Sequence, residues 1–61
     1  MYHRNRVSAF YIYKCKELLD YVTDMELSYR IFCLMDCLRY GGLTDELLND
    51  FWELRDEAFS V

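Results

Sequence analysis

The only two glycines of this 61-residue chain, Gly41 and Gly42, stand side by side, and proline is absent. A chain with a single strong backbone break must place everything else in long uninterrupted elements. Glycine adopts the left-handed conformation that ends many helices, so Gly41 reads as the residue just past a helix C-terminus. The sequence L-T-D-E-L-L follows at once. Thr44 suits an N-cap, Asp45 and Glu46 suit the positive end of a helix, and Leu43 can staple onto Leu48. The same grammar occurs earlier as V-T-D-M-E-L, where Thr23 and Glu26 have capping-box spacing and Val22 and Leu27 form the staple. Two starts and one stop predict helices over roughly 4–22, 24–40 and 45–59. The break at Thr23 contains neither Gly nor Pro, so a long bent helix followed by a short one is the alternative. Either way the expected class is all-α, a small three-helix bundle in a single domain over 1–61, because every apolar stretch has helical spacing.

Which faces are apolar follows from projecting each segment at about 100° per residue. In helix 1, Val7, Tyr11, Cys15, Leu18 and Val22 make one stripe, widened by Ile12 and Leu19, with Asn5, Lys16 and Asp20 opposite. Helix 3 carries two rows: Leu47, Phe51, Leu54 and Ala58 in one, Leu48, Trp52 and Phe59 in the other. Its acids fill the remaining arc. Helix 2 differs, since Leu27, Ile31, Leu34, Met35 and Leu38 form a main stripe but Met25, Tyr29, Phe32, Cys33, Cys37 and Tyr40 continue around the cylinder. A helix apolar nearly all round is buried on most sides. Folding hides only about 60% of the surface of so short a chain, yet 54% of its residues are hydrophobic and 18% aromatic. The bundle is therefore expected to be completed by oligomerisation, as a homodimer, with Tyr29, Phe32, Cys33, Met35 and Tyr40 in the oligomer interface.

Little in the sequence points to chemistry. Cys33 and Cys37 are spaced i, i+4, compatible with two ligands on one metal, but only Cys15 and His3 remain to complete a site. The cysteines read instead as small buried hydrophobes. Lys14 and Lys16 flank Cys15 and would favour its thiolate, but no general base stands nearby. His3 lacks a nucleophile and an orienting partner. Glycine-rich phosphate loops, G-x-S-x-G and H-E-x-x-H are absent. The expectation is a non-enzyme with no cofactor and no metal. An odd number of cysteines without a signal-like segment reads as reduced thiols in the cytoplasm, and no apolar run approaches the roughly 18 residues that span a bilayer.

Charge is distributed unevenly. Residues 1–16 carry Arg4, Arg6, Lys14 and Lys16 with no acid, whereas residues 43–61 carry six acids and only Arg55. Two functional readings follow. The first is a non-catalytic protein–protein interaction module, a small inhibitor or modulator of a target protein that acts as an oligomer. Size and composition suit the regulators that phages and plasmids direct at host proteins. Its partner-binding residues would be Leu48, Trp52, Arg55 and Phe59, because Arg55 falls inside the apolar arc beside two rings and Trp and Arg are frequent binding hot spots. The second is a small DNA-binding regulator using Arg4, Arg6, Lys14 and Lys16. Phosphate binding calls for a continuous basic face, and the net charge is −4, so nucleic acid is the less favoured partner. A redox or metal sensor built on the cysteines trails both.

Overall fold

The computed structural model describes the backbone of residues 2–60 and the side chains of residues 7–60. It is a three-helix bundle: α1 spans Tyr2–Tyr21, α2 Met25–Gly41 and α3 Asp45–Phe59. No strand occurs among the described residues. The bundle measures 36 × 17 × 14 Å along its principal axes. The contact between α1 and α2 is the most extensive, and α3 packs chiefly on α2 and more lightly on α1.

The chain does not run through residues 22–24 as one bent helix. The Val22 N–H still reaches Leu18 O at 3.1 Å, but Asp24 is extended (φ −74°, ψ 122°) and starts α2. Its Oδ1 accepts from the N–H groups of Glu26 and Leu27 at 2.8 and 3.3 Å. Asp24 thus replaces Thr23 as the expected cap. A carboxylate at the positive end of a helix gains from charge as well as from hydrogen bonding, which a hydroxyl one residue earlier does not match. At α3 the expected cap stands: Thr44 Oγ1 accepts from the Leu47 N–H at 3.1 Å.

The glycine stop is also displaced by one residue. Gly41 closes α2, and Gly42 takes the positive φ (76°, with ψ 175°) while its N–H donates to Leu38 O at 3.1 Å. That backbone region is essentially closed to residues with a Cβ. Gly42→Ala is therefore expected to cost at least about 1 kcal/mol. Gly41→Ala, whose Cβ would meet nothing within 4 Å, should be neutral or stabilise slightly, as removing an interior helical glycine does. Paired thermal melts check this, and equal effects at the two positions would contradict the assignment of the turn.

One hydrophobic core holds the three helices: Cys15 and Leu18 from α1, Leu27, Ile31, Leu34, Met35 and Leu38 from α2, and Phe51 and Leu54 from α3. Tyr11, Ile12, Leu19, Val22, Leu43, Leu47 and Ala58 close its edges. The main stripe of α2 is thus buried residue for residue as its spacing implies. Met35 belongs to that stripe and is consumed by the core, which corrects its expected place in an oligomer interface: it lies one turn beyond Ile31 on the same row. On α1 the stripe does not reach Val7, which is exposed. Ser8 is buried there instead, its Oγ 3.8 Å from where a Cβ on Gly42 would lie and without a hydrogen-bond partner. One polar clamp ties α2 to α3. Arg30 donates from both terminal nitrogens to the two carboxylate oxygens of Glu57, each at 3.0 Å. This pairing raises the Arg30 pKa further, but both side chains are about half exposed, so solvent screens the pair and it contributes little to stability.

Candidate functional site

The core row of α3 turns Phe51 and Leu54 inward, and this fixes where its second row points. Phe51 meets Tyr11 of α1 edge-on, with ring centroids 5.0 Å apart. Trp52, next in sequence, lies edge-on to Phe51 at 5.4 Å but on the outer side. One turn on, the Arg55 guanidinium sits 5.5 Å from the Trp52 ring centroid and 5.2 Å from that of Phe59. Residues 52, 55 and 59 recur at helical spacing, so the cation is held between two rings by the helix itself. Cation–π contact of this kind is worth about 0.5–1 kcal/mol at an exposed site. Tyr21, at the end of α1, approaches Phe59 with centroids 6.0 Å apart. Between α1 and α3 lies a shallow groove of about 320 Å³, lined in part by Lys14, Glu17, Tyr21, Arg55 and Phe59.

Three of the four expected partner-binding residues, Trp52, Arg55 and Phe59, therefore come together on one exposed surface. Leu48 is half-buried on the same side of the helix. Asp45 and Asp56 are exposed beyond Trp52 on the helical projection, giving the patch an acidic edge. Tyr21 is not among the residues the sequence singles out, and Lys14 is singled out there only as a neighbour of Cys15 and as a nucleic-acid candidate. No pattern within α1 reveals that they face α3, because that depends on how the two helices cross.

Four of the expected oligomer-interface residues, Tyr29, Phe32, Cys33 and Tyr40, are exposed on α2, together with Met25. Cys33 and Cys37 are not the small buried hydrophobes expected. Both are exposed and border a second groove of about 300 Å³, between α2 and α3, that also meets Arg30, Asp50 and Glu53. Among the described residues no group of three or more His, Cys, Asp or Glu is placed to hold a metal ion. Cys15 behaves in the opposite sense to its flanking lysines. It is fully buried, and burial pushes its thiol up to about 11. Charge on the adjacent residues does not help when the lysines project elsewhere: Lys14 pairs with Glu17 at 3.3 Å and lies 5.3 Å from the Phe10 ring centroid.

That ion pair also bears on the basic segment. Lys14 is partly neutralised by Glu17, and Lys16 is exposed. The side chains of Arg4, Arg6 and His3 lie outside the described residues. No helix among the described residues is long and apolar enough to cross a membrane. No family model, curated protein or solved structure matches the chain.

Proposed function

We propose that the chain is a non-catalytic protein–protein interaction module, a small inhibitor or modulator that binds a target protein and works as a homo-oligomer in the cytoplasm. The observation that carries this reading is the Trp52–Arg55–Phe59 cluster, a cation held between two large rings that the core leaves about half exposed. Trp and Arg dominate binding hot spots because they combine large apolar area with hydrogen-bonding capacity. A complementary target offers an apolar notch for Trp52 and Phe59, with basic groups around it to meet Asp45 and Asp56. Such a rim steers encounter and sets specificity more than it adds affinity. The odd cysteine count and two exposed thiols suit a reducing compartment. DNA binding is the weaker reading, since Lys14 is already engaged by Glu17.

The test begins with capture of the target on the immobilised chain, followed by titration of the purified target. Trp52→Ala is expected to weaken binding by about 30-fold or more, which corresponds to about 2 kcal/mol. Arg55→Ala should weaken it in the same direction, and added salt should slow association. Unchanged affinity in Trp52→Ala would contradict the proposal. So would sequence-specific DNA binding at physiological salt that is lost in Arg4→Ala/Arg6→Ala.

A further inference from the structure

We propose that the outer face of α2 pairs with the same face of a second copy of this chain, antiparallel, about a two-fold axis beside Phe32 and Cys33. This gives a geometry to the oligomer invoked above, and it does not depend on what α3 binds.

The face is defined by what the bundle leaves uncovered. With Leu27, Ile31, Leu34, Met35 and Leu38 turned into the core, the opposite side of α2 presents Met25, Tyr29, Phe32, Cys33, Asp36 and Tyr40. Met25 is 86% exposed, Tyr29 69%, Phe32 55% and Tyr40 84%. Large side chains of this kind carry about 150–250 Å² each, so these four leave roughly 500 Å² of surface per chain. Two such faces together reach roughly 1,000 Å², the lower bound for a specific interface. The α3 flank of α2 offers no comparable area, because Arg30 and the acids of α3 occupy it.

Charge decides the direction. Asp36 is the one ionised residue near the middle of the face, and its partner Arg39, 3.6 Å away, stands at the edge. In a parallel pair Asp36 would face Asp36 of the second copy, two like charges in a partly dewatered contact. In an antiparallel pair centred between Phe32 and Cys33, residues whose numbers sum to 65 lie opposite one another. Asp36 then faces Tyr29 of the second copy, whose phenol can donate to the carboxylate. Met25 faces Tyr40, a sulfur–aromatic pairing. Phe32 lies level with Cys33 of the second copy, and each is offset from its own counterpart by only one residue's rise, about 1.5 Å, so both sit beside the axis. Opposed helix dipoles favour the same arrangement. Of this face only Cys33 borders the α2–α3 groove, whose lining does not include Trp52, Arg55 or Phe59, so that cluster stays free in each copy.

Light scattering on the full chain at micromolar concentration should return twice the 7.5 kDa chain mass. Tyr29→Lys/Phe32→Lys, at two exposed positions, should give a monomer with the helical circular dichroism of the parent and a dimer dissociation constant raised at least about 100-fold. Cross-linking with a short bis-maleimide reads the direction. In a Cys37→Ser background Cys33 should link efficiently to Cys33 of the second copy. Met25→Cys in a Cys33→Ser/Cys37→Ser background should not link to itself, because the axis separates its two copies by many residues. A chain that stays at 7.5 kDa, a double-lysine variant that remains dimeric, or efficient self-linking at position 25 would each overturn the proposal. Target binding measured on the double-lysine monomer separates this outcome from the reading of α3.

Discussion

Phe51→Ala is expected to remove about 3–5 kcal/mol of stability, the usual cost of emptying a buried aromatic site. Phe51 is 4% exposed and closes the core between α1 and α3. Whole-domain stabilities run at roughly 0.05–0.15 kcal/mol per residue, about 3–9 kcal/mol for 61 residues, so a loss of this size takes from about a third of the chain's stability to all of it. The variant should melt far below the parent. Trp52→Ala, one residue further on, should cost no more than about 1 kcal/mol, because Trp52 is 47% exposed and lies on the outer row. It forfeits an edge contact with Phe51 and the stacking of Arg55, but it opens no cavity. Chemical denaturation of the two variants measures the contrast. A collapse of Trp52→Ala as severe as that of Phe51→Ala would assign Trp52 to the fold and remove the basis for a binding face.

The second large effect is a loss of stability at alkaline pH that originates at Cys15. Its thiol ionises at about 9.0 in the unfolded chain, whereas burial holds it up to about 11 in the native state. Below pH 9 both states carry a neutral thiol, and the site contributes no pH dependence. Between pH 9 and 11 the unfolded state loses its proton first, so stability falls as pH rises. The loss approaches about 2–3 kcal/mol by pH 11, from about 1.4 kcal/mol per pH unit. Cys15→Ala should start from lower stability, having lost a packed sulfur, but should lack this slope. The difference between the two pH profiles isolates the effect, because every other ionisable group is common to both proteins. Identical slopes would show that Cys15 is not buried as described. The same burial predicts that the folded Tyr29→Lys/Phe32→Lys monomer alkylates at the exposed Cys33 and Cys37, and that Cys15 reacts only after unfolding.

What could be read from sequence was whatever one helix encodes by itself. Three helices, the Thr44 cap and the buried stripe of α2 all follow from spacing and capping chemistry within about 17 consecutive residues. Errors of one residue arose where two competent residues are adjacent: Thr23 beside Asp24 at one helix start, Gly41 beside Gly42 at the next helix stop. Local grammar locates such a pair but does not choose between its members. Arg30–Glu57, the burial of Ser8 under the α2–α3 turn and the approach of Tyr21 to Phe59 were not legible. Each depends on the relative rotation of two helices, which no periodicity within either contains. Cys33 and Cys37 were misplaced for a related reason. Apolar residues around the whole of α2 imply burial on all sides, whereas one bundle of this size covers only the side carrying Ile31 and Leu38.

The partner-binding role of α3 is tested most directly by an amide- and side-chain-resolved NMR titration of the labelled chain with its purified target. Trp52 is the chain's single tryptophan, so its indole N–H gives one unambiguous signal from the centre of the proposed face. The largest shifts are expected at that indole and at Leu48, Arg55 and Phe59, with Asp45 and Asp56 at their margin. Residues of α2 around Tyr29 and Phe32 should not respond, being engaged with the second copy before target arrives. Shifts centred on Lys14, Lys16 and the N-terminal segment, with the Trp52 indole unmoved at saturation, would contradict the account.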